Sequence, residues 1–196
     1  MLSRRQCSIT LYLGLISALL PLLSYSQDVD LTATVTNNTC RIEISNNGVV
    51  NLPTVKPGYF ADGVTAETDY PGGKEFAIRL VECPISDGKI SQVMVNFTPQ
   101  DGSQPMDNPQ VFANDLTVND EGVKNVGLAI FTNQPNTSRT NVLNTDGSTR
   151  AIYPVTAEHY QNSLWPFYAR MQKIVSAENV SSGLLTSKVL VNISYQ

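Results

Sequence analysis

The sequence predicts an all-β chain folded as a sandwich. Apolar residues recur at every second position through most of the chain, and no long stretch carries helical periodicity. Turn signals rich in Gly, Pro, Asn and Asp cut that alternation into short runs. Thr, Ser, Asn and Val are abundant while Lys and Glu are scarce, a composition that suits half-buried strands. With 196 residues, 41% of them apolar, there is room for one ordinary core.

The first segment lies outside that fold. Arg4 and Arg5 precede a 15-residue run, Ile9 to Leu23, that is mostly apolar. Ser24-Tyr25-Ser26 then offers small residues at the two positions a signal peptidase reads. Residues 1–26 are therefore expected to be a signal peptide cut after Ser26, leaving a chain that starts at Gln27. A membrane anchor is the competing interpretation, but the run is short for a span of about 20 residues. No second hydrophobic stretch follows, so the product is expected to be released. Loss of the segment removes two Arg and no acid, moving the net charge from −4 to −6. That balance argues against nucleic acid as a partner, which would require a basic face.

The segment also takes Cys7 with it, leaving Cys40 and Cys83. In an exported chain these two most simply form one disulfide. Closing a loop of about 40 residues would contribute on the order of 3–4 kcal/mol in the chain-entropy model. Two free buried thiols are the alternative. With one His and two remaining Cys, a His/Cys metal cage is excluded.

In chain order, Val29, Leu31, Ala33 and Val35 alternate with Asp30, Thr32, Thr34 and Thr36, one apolar and one polar face. After Asn37-Asn38-Thr39 the alternation resumes at Cys40, Ile42 and Ile44 and ends at the turn Asn46-Asn47-Gly48. Val49 to Leu52 is expected as a short strand ended by Pro53 and Pro57. Residues 57–74, with four Gly and two Pro, predict a long loop. Phe76, Ile78 and Leu80 lead into Cys83, and Pro84 to Gly88 turns the chain. Val93, Val95 and Phe97 form the next strand, and 99–109 the next loop. Val126, Leu128 and Ile130 alternate around Gly127 and Ala129. Residues 133–148 are turn-rich, and a helical turn is conceivable only around 157–162. Trp165, Phe167, Ala169 and Met171 alternate again, and Leu185 to Tyr195 closes the chain. Seven to nine short strands with turns between them fit a sandwich of immunoglobulin type.

Nothing in the chain points to catalysis. His159, the only imidazole, sits in a polar stretch with no Gly-x-Ser-x-Gly elbow to supply a nucleophile. Asp115, Asp120 and Glu121 are close in sequence, but nothing sets a glycosidase separation. No Ca²⁺-loop spacing surrounds Asp101, Asp107 or Asp120. Glu67-Thr68-Asp69 reads as a solvated rim.

The two ends carry more information. After Gly183, the residues Leu185, Ser187, Val189, Val191, Ile193 and Tyr195 fall on one face, with Gln196 last. Val29 to Val35 forms a second apolar-faced strand at the other free end. Unpaired strand edges are aggregation templates, so each end must pair within the molecule or with another molecule by strand addition.

These ends resemble those of chaperone–usher fimbrial subunits, the pilins of Gram-negative bacteria. The matching features are Gly183 fourteen residues from the end, the alternation after it and the penultimate Tyr195. Phe167-Tyr168-Ala169-Arg170 resembles the strand before that terminal segment, and Cys40 with Cys83 matches the family disulfide. The resemblance spans the chain after the signal segment, with the middle matched only by strand rhythm. It implies an incomplete immunoglobulin-like β-sandwich lacking its last strand, with one disulfide, in the domain 38–196. Residues 27–37 would be a donor-strand extension inserting Val29, Leu31, Ala33 and Val35 into a neighbour. Leu185, Ser187, Val189, Val191, Ile193 and Tyr195 would line or border the acceptor groove and contact a periplasmic chaperone. The carboxylate of Gln196 would meet basic groups of that chaperone. Implied partners are neighbouring fimbrial subunits, the chaperone and an outer-membrane usher, along a route through the periplasm to the cell surface. The resemblance implies no cofactor, no metal and no enzymatic activity.

Two departures from the family pattern stand out. Ala33 occupies a position where the family donor strand often has Gly. Only thirteen residues separate Gln27 from Cys40, shorter than in rod subunits and closer to a minor or tip-adaptor subunit. The 170 residues after the signal leave no space for a separate receptor domain. Two other classes compete. A self-contained, lectin-like secreted binding module would pair Val29–Val35 within its own fold. A secreted β-sandwich hydrolase would need a cleft with convergent carboxylates or His159.

Overall fold

A computed structural model describes residues 41–61, 63–82, 92–100, 104–154 and 163–195. The chain divides into two units, Met1–Thr36 and Asn37–Gln196, and all described residues belong to the second. Val29, Leu31, Ala33, Val35, Cys40, Cys83, His159, Gln196 and the conceivable helical turn at 157–162 lie outside the described residues.

The described elements are strands with short turns between them and no α-helix. The strands are β1 (Arg41–Ile44), β2 (Lys74–Glu82), β3 (Gln92–Pro99), β4 (Val126–Thr132), β5 (Ile152–Pro154), β6 (Leu164–Lys173) and β7 (Val189–Tyr195). They form two antiparallel sheets, ordered β1-β2-β6-β4 and β5-β3-β7. Period-2 alternation decides what lies between them. Ile78 and Leu80 of β2, Trp165, Phe167 and Ala169 of β6 and Ile130 of β4 meet Val93, Val95 and Phe97 of β3 and Ile193 of β7 in one buried core. Phe167 lies at its centre, stacked on Phe76 at 5.6 Å and edge-on to Phe97 at 5.2 Å.

Two expectations about the strands need correction. Val49–Leu52 is extended but belongs to no ladder among the described residues. Asn46, Asn47 and Gly48 all have positive φ, a left-handed turn that carries the chain off the edge of the first sheet. From Leu52 onward, Pro53 and Pro57 lack the N–H a ladder needs. The terminal segment is likewise not one uniform strand: the ladder covers Val189–Tyr195, and 183–188 is held by irregular bonds described below.

The outer face of the first sheet is also buried, which one-sided alternation does not foresee. Ala129, Phe131 and Tyr168 form a second apolar cluster there. Beside it Arg170 is 0% exposed. Its Nη2 donates to the carbonyls of Thr65 and Thr68 at 2.7 and 2.9 Å, and its Nη1 to Met171 O at 3.1 Å and Gln172 Oε1 at 2.5 Å. Its guanidinium lies 4.8 Å from the Phe131 ring centroid, and Gln172 Nε2 reaches Val64 O at 3.1 Å. A buried cation is tolerated because nearly every donor of the fork meets a carbonyl dipole.

The loop that was expected over 57–74 is therefore a strap pinned across this face. It begins with a 3₁₀ turn, Pro57–Phe60, and Gly73 N–H donates to Tyr168 Oη at 2.6 Å. Its acids are exposed yet tethered. Arg139 bridges Asp69 and Glu75 at 3.3 and 3.0 Å while lying 4.0 Å over the Tyr168 ring. Arg150 holds Glu67 through two 2.8 Å contacts, and Gln110 Nε2 also donates to Glu67.

Glu67 gives a pH prediction. The Arg150 hydrogen bond holds its carboxyl below the ordinary value, against the opposing effect of burial, with Gln110 adding to the depression. A depressed folded pKa contributes stability above the unfolded carboxylate value of about 4.3. That stability is lost as pH falls through the folded value. Urea midpoints of the wild type and of Glu67→Gln, compared from pH 5 down to pH 3, should converge as the wild type loses its advantage. The difference should be small, because the Glu67 side chain is 42% exposed and the pair is screened by solvent. A gap between the two that stays constant with pH would show that the pair contributes no linkage.

Candidate functional site: an open groove between the sheet edges

Residues 185–193 keep the alternation that the sequence displays. Leu185, Ser187, Val189 and Val191 are half-buried, Ile193 is buried, and Leu184, Thr186, Lys188, Leu190 and Asn192 are exposed. The two sides of the backbone differ in the same way. On one side Val123 N–H donates to Leu184 O, Leu184 N–H to Glu121 O, Asp115 N–H to Thr186 O and Gln100 N–H to Lys188 O, at 2.7–2.9 Å. Asn114 Oδ1 accepts from Thr186 N–H at 2.9 Å, and Asp115 Oδ2 from Lys188 N–H at 2.7 Å. β7 then continues on β3 in the register Pro99↔Val189 to Val93↔Tyr195. Successive residues of an antiparallel strand present N–H and C=O to opposite sides. The main-chain groups of Leu185, Ser187, Val189, Val191 and Ile193 therefore face away from β3, where β7 has no strand neighbour among the described residues.

Across from this edge runs 49–56, the extended stretch without a ladder. Between the two lies a groove of three connected hollows of about 420, 450 and 120 Å³. The wide end is walled by Leu52–Pro57 and Gly183–Leu185, with Phe60 on the rim and Val126 and Met171 beneath. The middle lies between Gly48–Leu52 and Leu185–Ser187 over Leu128 and Met171. The narrow end lies between Ile44, Val50 and the residues Ser187, Val189 and Val191, over Phe76, Phe97, Ile130 and Ala169. The first wall thus ascends from 44 to 57 as the second descends from 191 to 183, so the walls are antiparallel.

Leu185, Ser187, Val189 and Val191 thus line the hollow, whereas Ile193 is 6% exposed and part of the core. Tyr195 is the last residue of β7, paired with Val93. Gly183 contributes by what it lacks. A Cβ there would stand 2.5 Å from Val123 N and 2.7 Å from Glu121 O, so only glycine lets the wall lie against 121–123. The floor residues Leu128, Met171, Val126 and Phe97, and Phe60 on the rim, were expected as strand or loop residues and not as site residues. Their inward phase was legible, but which inward residues remain uncovered depends on where a strand is absent.

Two of the acids singled out in sequence, Asp115 and Asp120, have structural partners. Asp115 fastens the start of the second wall. Asp120 accepts from Thr117 Oγ1 at 2.6 Å within the 3₁₀ turn Val118–Asp120. Among the described residues no group of three or more His, Cys, Asp or Glu could hold a metal, and no helix is long and apolar enough to cross a membrane.

The groove is thus apolar on its floor, and among the described residues neither edge carries a strand neighbour on the side that faces it. Comparison with known proteins identifies the family. The chain is 40% identical over 190 residues to the fimbrial-like protein YadK of Escherichia coli strain K12, covering 96% of this chain and 94% of that protein. The crystal structure of the CupB6 tip adhesin from Pseudomonas aeruginosa aligns with a TM-score of 0.42 at 10% identity. That alignment covers 81% of this chain and 43% of the adhesin, so the chain spans less than half its length. The family described as Fimbrial protein matches residues 29–196, and with that match the chain belongs to the fimbrial protein family.

Proposed function

We propose that this protein is a structural subunit of a surface fibre whose immunoglobulin-like sandwich is completed by a strand donated from a neighbouring subunit. The observation that carries this is the groove: two antiparallel walls with unpaired main-chain groups, separated by an apolar floor. A strand laid between them would gain ladder bonds and bury alternate side chains. The segment 27–37 has the matching pattern in Val29, Leu31, Ala33 and Val35. Each such side chain contributes at most roughly 1.5–3 kcal/mol on burial, reduced by the cost of ordering the strand.

Of the two possible orientations we favour the one antiparallel to β7, which extends the second sheet by an ordinary antiparallel ladder. β1 ends at Ile44 beside the end of the groove where β7 runs on, next to Val191. A donated strand antiparallel to β7 would leave the groove at the opposite, Gly183 end. Its own domain would then sit at that end, and subunits could follow one another head to tail. Before assembly the same edge suits a strand lent by a periplasmic chaperone, with the usher as the site of exchange. The short extension favours a minor or adaptor position over a rod subunit. The pair Cys40 and Cys83 would tie β1 to the end of β2, whose first register pair is Arg41↔Glu82.

The test is urea unfolding of the exported chain with and without a second copy of residues 27–37 fused after Gln196 through a flexible linker. The fused strand should raise the midpoint by an amount equivalent to several kcal/mol. An unchanged midpoint with a cooperative transition in both proteins would show that the sandwich is complete by itself. The self-contained binding module would then be the better account.

A further inference from the structure

The hollow surface does not stop at Phe60. A fourth hollow of about 480 Å³ adjoins the wide end of the groove, lined by Pro57, Phe60, Ala61, Lys173, Asn179 and Val180. Pro57, Phe60 and Val180 also line the wide end itself, so the two share a rim. The walls run on in the same sense: the first ascends from Pro57 to Ala61 as the second descends from Val180 to Asn179. What changes is the chemistry. The groove is floored by apolar side chains, whereas the fourth hollow carries an ammonium and a side-chain amide. Lys173, the last residue of β6, is half-buried, and its Nζ donates to Ser176 O at 2.8 Å. An ammonium has three N–H groups to give, and a primary amide both donates and accepts.

The segment that would fill the groove changes character in the same way. Val29, Leu31, Ala33 and Val35 are followed by Thr36, Asn37, Asn38 and Thr39, four polar residues in a row. In an antiparallel pairing, the four apolar side chains meet Val191, Val189, Ser187 and Leu185 one for one. Val35 then stands at the wide end beside Leu185, and the polar residues continue past Gly183 toward Val180 and Asn179. Pro57 offers no ladder donor there, so recognition at this end falls to side chains.

We propose that the fourth hollow is a binding site for residues 36–39 of the donated segment, as a second copy of this chain would supply them. Lys173 would donate to their hydroxyls and amide carbonyls, and Asn179 would exchange hydrogen bonds with them. The site would select a donor whose apolar alternation gives way to a polar run directly after the fourth inserted side chain. The proposal rests on the strand-binding function given above, in the orientation antiparallel to β7.

Urea unfolding tests it in the exported chain fused after Gln196, through one flexible linker, to a copy of residues 27–35 or of residues 27–39. Both fusions should raise the midpoint, and residues 36–39 should add a further roughly 0.5 M, the shift that one net hydrogen bond gives. The same pair of fusions is then made with Lys173→Met and Asn179→Ala together. Methionine keeps the apolar stem and removes the ammonium. Each variant is read against its own 27–35 fusion, so a change in basal stability cancels, and the further rise should be lost. Equal midpoints for the two wild-type fusions, both above that of the unfused chain, overturn the site and leave the strand-binding function intact. A further rise that persists in the double variant overturns Lys173 and Asn179 as the groups that hold the segment. If neither fusion raises the midpoint, the strand-binding function fails and the site with it.

Discussion

Arg170→Ala should lower the stability of the domain by about 3–5 kcal/mol, the range for removing one partner of a buried charged network. The reason is particular to this arginine. Its fork meets the carbonyls of Thr65, Thr68 and Met171, and no carboxylate is hydrogen-bonded to it. Alanine would leave four acceptors, the three carbonyls and Gln172 Oε1, without this donor, a cavity under the strap and Phe131 without its cation. At a urea dependence of about 2 kcal/mol per molar, the midpoint should fall by roughly 2 M. Protease cleavage within 61–72 should accelerate in step. Arg170→Lys should restore only part of the loss, because a single ammonium cannot reproduce a planar fork aimed at both Thr65 and Met171. A loss below about 1 kcal/mol for the alanine variant, in the range of an ordinary surface change, would show that the strap holds itself.

Gly183→Ala should be the most damaging single-methyl change along the second wall. The added carbon would lie within 2.7 Å of three backbone atoms of 121–123, and backbone cannot step aside as a flexible side chain can. Overpacking of this kind costs on the order of 1–3 kcal/mol. The displacement also strains the paired bonds Val123 N–Leu184 O and Leu184 N–Glu121 O, at 2.9 and 2.8 Å. Function should suffer beyond stability, since Gly183–Leu185 walls the wide end of the groove. The expected result is a lower midpoint for the variant alone together with a smaller rise on fusing the donor strand. If the variant loses stability but keeps the full rise, the wall does not depend on this close approach.

The comparison of sequence with structure follows a physical boundary. Inward phase was legible wherever alternation was regular: Leu185 to Ile193, Phe76 to Leu80 and Trp165 to Ala169 all project as their spacing predicts. Two-sided burial was not legible. In β6 the residues between the inward ones are Tyr168, Arg170 and Gln172, which read as a polar face and are all buried under the strap. What buries them is the carbonyl oxygens of Val64, Thr65 and Thr68, about a hundred residues earlier, and main-chain acceptors leave no mark in side-chain identity. Val49–Leu52 failed for a related reason: it has strand composition, but pairing requires a neighbour, and among the described residues no strand lies beside it. The likeness of the chain's ends to pilins pointed to a groove, while its floor at Leu128, Val126 and Met171 emerged only once the uncovered length of the sandwich was in view.

The antiparallel walls have a mechanical consequence. On the proposed assembly, a strand inserted lengthwise between them and leaving at the Gly183 end would be loaded along its own axis when a fibre is pulled. Ladder bonds loaded in shear must yield together, whereas a strand peeled from one end loses them singly. The two walls do not resist equally, because Pro53 and Pro57 remove donors from the first wall toward the wide end. There the strand would find fewer donors on the first wall than on the second. Tension would thus find its weakest grip at the exit, around Met171 and Phe60, and its strongest in the narrow stretch over Phe97 and Ala169. A fibre built this way would be expected to fray at its joints before its domains unravel, and its lifetime under load would be governed by a rate of withdrawal and not by an equilibrium.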